Sequence, residues 1–399
     1  MPDIPATYAN ESAMEPLMPG TGVLREKAAD LMRSTARLEA AFHPITQVGV
    51  AGLVQQMNSY YSNLIEGHQT HPVDIEKALN NDLLVEPRQR ELQIEARAHV
   101  EVQCLIAARF DRGEKIRVCS GEFLRWIHGE FCRRLPESLL QAKTTSGKVV
   151  PIIPGEFRAG ETMVGAHFGR FAASLPRFIQ RFEAYSPEHH DPLDRIVAWA
   201  ASHHRLVWIH PFVDGNGRVA RLYTDTYARE IGIGSAGLWS IARGLARQKD
   251  AYISHLADAD SERRGALDGR GNLSQAALHQ FCDFFLTVAR DQVHFMAGLF
   301  ELDTLQDRIL RFATRWGDEN EMPATLGSVL REIALRGSVP RGEVTALFGV
   351  SERTASRLIA KLLAGRVVES GGHRDPLRLG FSTQTVGYYF PKLYPEGLV

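Results

Sequence analysis

HPFVDGNGRVAR, residues 210–221, places one histidine, one aspartate, a Gly-Asn-Gly turn and two arginines in a single short stretch. The segment before it, DPLDRIVAWAASHHRLVWI, reads as a helix. Asp191 is suited to cap it, Pro192 suits its first turn, and Leu193, Ile196, Ala200 and Val207 fall near one face. The segment after it, RVARLYTDTYAREIG, also reads as a helix, with Val219, Leu222, Tyr223 and Tyr227 inward and Gly232 as the stop. The pattern predicts a helix, a short loop and the start of a second helix, in a mostly α-helical chain.

Such a loop suits a polyphosphate. The first N–H groups of the second helix point into it, and the helix dipole adds partial positive charge there. Gly215 and Gly217 allow close backbone approach to an anion. Asn216 offers a side-chain donor. Arg218 and Arg221, three residues apart, lean towards the loop from neighbouring faces. Asp214 is the one acid beside these donors and suits a hard divalent cation, Mg²⁺. His210 is the group near the loop that exchanges a proton near neutral pH.

In these residues the chain resembles the Fic family of nucleotidyl transferases, whose signature is His-Pro-Phe, one residue, Asp or Glu, Gly-Asn-Gly-Arg, two residues, Arg. The match runs without gap or substitution. The resemblance implies a Fic-type helical bundle with a small β-hairpin flap. It implies a protein adenylyltransferase that moves AMP from ATP to a Ser, Thr or Tyr hydroxyl of a target protein. His210 would be the base and Asp214 the Mg²⁺ ligand. Gly215, Asn216, Gly217, Arg218, Val219, Ala220 and Arg221 would hold ATP. Other members move UMP, phosphocholine or phosphate, or remove AMP, so donor and direction stay open.

Two further segments gain meaning from the resemblance. ITQVGVAGLVQQMNSYYSNLIEG has apolar residues at helical spacing and ends in Glu66-Gly67. On its own it is a helix with an exposed terminal glutamate. Many Fic proteins carry an inhibitory helix with Ser or Thr, three residues, Glu, then Gly or Asn, which here is Ser62, Glu66 and Gly67. Glu66 would pair bidentately with Arg221 and occupy the seat of the γ-phosphate. In SGKVVPIIPGEFRAGETMVGAHF, Pro, Gly and β-branched residues alternate, which predicts extended segments and a turn. The family's flap lies there, with residues 155–168 the best match and Met163 and Val164 as target-binding residues. Tyr252 is the candidate adenine neighbour, with a plain core tyrosine as the alternative. The helices from Arg88 and from Gly121 read as scaffold.

The 399 residues carry 46 Lys and Arg against 47 Asp and Glu, so no global basic excess points to nucleic acid. No apolar run approaches a membrane span, and the first twenty residues lack a basic-then-apolar leader, so a cytoplasmic protein is expected. Cys104, Cys119, Cys132 and Cys282 form no Cys-x-x-Cys pair and read as reduced thiols. Residues 1 to about 22 read as an irregular arm. GDENEMP, from Gly317, reads as a linker, and VPRGEVTALFGVSERTASRLIAKLLAGRVVES beyond it as helix, tight turn, helix and strand, a winged-helix pattern. The domains expected are 1–110, a helical region with the inhibitory helix at about 45–67; 111–315, catalytic; and 316–399, winged-helix-like. That last domain would meet DNA or a protein partner, which leaves a DNA-binding regulator with a nucleotide-sensing domain as the alternative function. A homodimer stays open.

Overall fold

Apolar residues at three- and four-residue spacing close most of this chain into helices, and Pro, Gly, Ser and Asp mark their ends. The computed structural model describes residues 11–20, 22–41, 44–143, 147–160, 163–164, 167–168 and 172–394. The N-terminal helices are α1 (Gly22–Ala40), α2 (Pro44–Ile65), α3 (Pro72–Leu79), α4 (Pro87–Asp111) and α5 (Gly121–Cys132). Two short antiparallel hairpins follow: β1 (Gln141–Lys143) with β2 (Val149–Pro151), and β3 (Met163–Val164) with β4 (His167–Phe168). Next come α6 (Leu175–Phe182), α7 (Pro192–Ile209), α8 (Asn216–Glu230), α9 (Ala242–Arg247), α10 (Lys249–Ala259) and α11 (Gln275–Leu299). The C-terminal part holds α12 (Leu302–Glu319), α13 (Leu326–Arg336), α14 (Arg341–Phe348), α15 (Glu352–Ala364), β5 (Val368–Glu369), β6 (Arg378–Leu379) and α16 (Thr383–Tyr389).

The centre of the core is α7. Asp191 caps it, accepting from the N–H groups of Leu193 and Asp194, and Pro192 opens it. The sequence suggests one apolar face, but residues 196–206 are buried all round. The reason is that α1, α6, α8 and α11 all pack against this helix, and a helix enclosed on every side buries its polar residues as well. Each of these polar residues then needs a partner. Trp199, 1% exposed, donates from Nε1 to the Thr224 carbonyl at 2.8 Å and ties α7 to α8. Truncating it to alanine removes that bond and opens a cavity, at a cost of about 3–5 kcal/mol.

Three expectations are corrected here. The expected arm is irregular over residues 15–20 but not over the four described residues before them. Residues 11–14 form a 3₁₀ turn, and Ala13 and Met14 are fully buried. Arg205 of α7, itself buried, holds the Met14 and Pro16 carbonyls at 2.9 Å each, which stitches the arm to the core. Residues 1–10 lie outside the described residues. The expected linker, residues 317–323, begins later: its first three residues belong to α12, which runs unbroken to Glu319, and the connection to α13 is residues 320–325. The apolar side of α12, Ile309, Phe312, Ala313 and Trp316, is buried, and the helix packs on α13 and α16. That packing outweighs the polar composition that suggested a break. Finally, the segment from Gly147 forms parts of two hairpins, because Val149–Pro151 pairs back onto β1 instead of forward.

Within the C-terminal part, α13, α14 and α15 are followed by the β5–β6 hairpin, and Val339 makes an antiparallel bridge to Leu377 beside it. Gly349 has φ 67° in the tight turn between α14 and α15, and Ser351 caps α15. This part leans on α2 and α3. Tyr61 donates to the Leu393 carbonyl at 2.9 Å, its ring stacks on Tyr394, and Arg366 pairs with Glu76 at 2.7 Å.

Candidate functional site

The loop 210–215 joins the C-terminus of α7 to the N-terminus of α8. His210 ends α7 in the left-handed conformation, φ 50° and ψ 62°, its N–H still bonded to the Leu206 carbonyl. A non-glycine residue there is strained, and such strain accompanies functional turns. Gly215 opens α8 with φ 79°. Val219 is the first residue to close onto the helix, through Gly215. The N–H groups of residues 216–218 therefore precede the first intrahelical bond and form an anion seat.

Asn216 departs from its expected role. Its side chain accepts from the Phe212 N–H and donates to the Phe212 carbonyl, both at 2.9 Å, and so closes the loop on itself. Only its backbone faces the seat as an anion donor. Phe212 is fully buried, and its ring stacks on His128 at 4.0 Å and 3°. His128 accepts from the Gly155 N–H at 2.9 Å, and burial pushes its imidazole pKa down to about 4. Asp214 is exposed at the mouth of the loop, with one oxygen on the Gly215 N–H at 2.6 Å. Val219 and Ala220 are buried at 1% and 0%, so they brace α8 from behind and reach a ligand only through their backbone.

The structure brings the end of α2 onto this seat. Ser62 is fully buried and accepts from Arg221 Nε at 2.8 Å, and the Ser62 carbonyl accepts from Nη2 at 3.1 Å. Glu66 Oε1 accepts from the same Nη2 at 2.5 Å. The pairing is therefore not bidentate as expected, because Ser62 has taken the Nε side of the guanidinium. The Glu66 carboxylate lies against Gly217, in the space a Cβ there would fill. Any side chain at 217 would collide with it, which is the close approach that glycine permits. Burial raises the Glu66 pKa, but Arg221 and then Arg218 outweigh it and hold the group below its usual value. Gly67, φ 86°, ends the helix.

Several residues of the site were not legible as such. Glu95 of α4, 2% exposed, forms an ion pair with Arg218 and accepts from His68 Nδ1 at 2.7 Å. A glutamate buried on an otherwise ordinary scaffold helix gives no local signal. Arg158, at the root of the second hairpin, bonds the carbonyls of the His210 turn. His203 of α7 sits beneath Arg221, and burial followed by the Arg221 charge depresses it to about 3.

Tyr252 is 3% exposed, and its hydroxyl meets His203 Nε2 at 2.7 Å. Thr224 donates to the Ala220 carbonyl at 2.7 Å, so its oxygen receives His203 Nδ1–H at 2.6 Å. Nε2 is then the acceptor for the Tyr252 hydroxyl, whose oxygen faces Arg221. This favours the alternative, a core tyrosine: Tyr252 belongs to a buried polar relay beneath Arg221.

The imidazole of His210 is held neutral. Burial lowers its pKa first and the Arg158 charge second, to about 4. Met163 pairs with Phe168 and Val164 with His167 in the hairpin, while 161–162 and 165–166 of the expected flap lie outside the described residues. Among the described residues no group of three His, Cys, Asp or Glu side chains is placed to hold a metal ion by itself, and no helix is long and apolar enough to cross a membrane.

The chain is similar to known proteins in sequence over part of its length and in fold. Residues 119–228 match the Fic/DOC family model. Over 87 residues the chain is 42% identical to the protein adenylyltransferase Fic of Drosophila melanogaster, and equally to that of Drosophila virilis. These matches cover 22% of this chain and 18% of each relative's length. In fold the chain resembles a Fic family protein from Desulfovibrio desulfuricans G20, with a TM-score of 0.51 at 16% identity over 89% of this chain and 96% of that one. It also resembles a Fic domain containing signaling protein from Bacteroides thetaiotaomicron, with a TM-score of 0.50 at 18% identity over 68% of this chain and 95% of that one. At these identities the likeness is one of fold. The loop and the start of the helix after it lie within the segment, residues 119–228, that is similar to the Fic/DOC family model.

Proposed function

We propose that the chain transfers AMP from ATP to a Ser, Thr or Tyr hydroxyl of a protein, and that the end of α2 restrains it. The observation that carries this reading is the Glu66 carboxylate, seated at the N-terminus of α8 and bonded to Arg221. One carboxylate already rests where oriented N–H groups and two guanidiniums favour negative charge, so the seat is built for an anion. A triphosphate that displaced Glu66 would meet α8's first turn, Arg218 and Arg221 with its phosphates, and His210 stands beside the loop.

Its neutral imidazole accepts the proton of the target hydroxyl while that oxygen attacks the α-phosphorus. The bond from the α-phosphorus to the oxygen bridging to the β-phosphate breaks, and pyrophosphate leaves with that oxygen. Arg218 and the α8 N-terminus offset the charge of the departing group. Asp214 fits a Mg²⁺ ion. It is exposed at the loop with one oxygen engaged by Gly215, and Mg²⁺ commonly takes one or two carboxylates with the rest of its shell from phosphates and water. When bound, the ion supplies charge neutralisation to the phosphates. The β3–β4 hairpin offers an edge for the target segment.

Mass spectrometry of a lysate incubated with the Glu66→Gly variant and α-labelled ATP tests the reading. The expected result is a mass gain of one AMP on Ser, Thr or Tyr, absent in Glu66→Gly/His210→Ala. Gain of a different group, or AMP loss from a modified substrate instead of gain, would replace it with a different donor or the reverse reaction.

A second reading concerns the C-terminal part. Three helices followed by a hairpin that Val339 bridges follow the winged-helix order. Arg353 and Arg357 lie exposed one turn apart on α15, and Arg374 is exposed in the β5–β6 loop. None of the three has an ion-pair partner among the described residues. Duplex DNA is the partner that reading implies. Retention of a mixed-sequence duplex at low salt, lost on Arg353→Glu/Arg357→Glu, would support it. Equal retention by the variant would remove it.

A further inference from the structure

The last carbonyls of a helix have no intrahelical donor and must find one elsewhere. At the end of α7 three consecutive carbonyls, 209 to 211, find theirs in a single residue. Arg158 Nε donates to the His210 carbonyl at 2.8 Å, Nη2 to the Ile209 carbonyl at 3.5 Å, and the Arg158 backbone N–H to the Pro211 carbonyl at 2.9 Å. Nη1 donates to the Gly160 carbonyl at 2.9 Å, which fixes the guanidinium to its own loop. Arg158 is 4% exposed.

These bonds surround the strained residue. His210 holds φ 50° only because its surroundings enforce it, since the left-handed region is strained for a side-chain-bearing residue. Nearby, the Gly155–His128 bond and the His128–Phe212 stack fasten the start of the same segment to the same loop. The segment 155–160 is thus clamped to the His210 turn at both ends. Its next described residues are those of the β3–β4 hairpin.

We propose that Arg158 is a positioning residue for His210: its guanidinium holds the turn from which the imidazole projects and joins the root of the β3–β4 hairpin to that turn. This rests on the reading of His210 as the base. A planar fork is required, because three carbonyl-directed N–H groups must diverge in one plane. A lysine ammonium supplies charge without that geometry. The same charge faces the imidazole and favours its neutral form, while the Val207 carbonyl below, Glu66 from the end of α2 and Asp260 after α10 act in the opposite sense.

The test uses the full chain with Arg158→Lys and Arg158→Gln. The His210 imidazole is titrated by NMR, its resonance assigned with His210→Ala. AMP transfer and ATP affinity are measured with the same substitutions in the Glu66→Gly background. Arg158→Gln should raise the pH at which His210 titrates by about 0.5–1 unit, the size expected from removing one nearby charge. It should also lower transfer at least about tenfold with ATP affinity unchanged. Arg158→Lys should leave the titration near that of the parent and still lose transfer, a split that separates fork from charge. Folded variants with the parent's titration and the parent's transfer rate would overturn the proposal. If the Glu66→Gly parent itself transfers nothing, the adenylyltransferase reading fails, and the titration and melting of the Arg158 variants still decide whether Arg158 holds His210.

Discussion

Replacing Glu66 probes the restraint most directly. The bond to remove is Arg221 Nη2 to Glu66 Oε1, 2.5 Å long, with the arginine side chain 2% exposed and the glutamate 31%. A hydrogen bond between charged groups contributes about 1.5–3 kcal/mol, and partial solvent access places this one near the lower end, at roughly 1.5–2. A triphosphate that reaches Arg221 must first break that bond. Removing it should raise the productively bound fraction, and so the transfer rate, by about 10–30-fold, since 1.4 kcal/mol is a factor of ten. Glu66→Gln keeps the shape and a neutral hydrogen bond and should fall between, at several-fold. Ser62→Ala, which removes the acceptor of Arg221 Nε at 2.8 Å, should loosen the same guanidinium and give a smaller rise. The assay is incorporation of α-labelled AMP into the chain itself at saturating ATP, with melting temperatures to show that the variants are folded. The Glu66 pKa is depressed, so the contact persists at neutral pH and weakens only as pH falls through the folded value. The ratio of Glu66→Gly to parent should then stay level from pH 6 to 8. Equal rates for parent, Gln and Gly would refute the idea that the carboxylate holds the phosphate seat.

His210→Ala in the Glu66→Gly background should abolish AMP transfer while ATP affinity, measured by calorimetry, stays within a few-fold; retained transfer would remove His210 as the base. Tyr252→Phe leaves His203 Nε2 buried without its donor and should cost about 1–3 kcal/mol in urea unfolding; an unchanged midpoint would contradict the relay beneath Arg221. Acid should weaken the fold as its buried imidazoles take up protons. His99 and His203 are depressed by burial to about 3, and His128 and His210 to about 4. A depressed histidine contributes stability above its unfolded pKa near 6.5, and that stability is lost as pH falls towards the folded value. Asp225, raised by burial to about 7, works the other way, losing stability as pH rises towards that value. From these five groups the net uptake on unfolding near pH 5 is about three protons, or roughly 4 kcal/mol per pH unit. A urea midpoint that does not fall between pH 6.5 and 4.5 would show that these imidazoles are not buried neutral.

The chain's local chemistry was enough to place the helices around the loop. Asp191-Pro192 marked the start of α7, Gly232 the end of α8, and residues 210–221 announced an anion seat, because caps, turns and helix periodicity act over a few neighbouring residues. Linear order also put Glu66 at the end of a helix and Arg221 at the start of another. What those residues touch was decided only by packing. That Ser62 shares Arg221 with Glu66, that Glu95 pairs with Arg218, and that Tyr252 backs onto His203 follow from α2, α4 and α10 meeting α7 and α8, contacts between residues tens to hundreds of positions apart. Asn216 looked like a ligand donor and became a loop clasp, because a buried turn must satisfy its own backbone first. Arg158 sits in GEFRAG with no motif to flag it, and its task exists only once the carbonyls of a distant helix end arrive beside it. Long-range hydrogen bonds to backbone leave no pattern in the chain that makes them, because any carbonyl serves as acceptor and only the fold chooses which one.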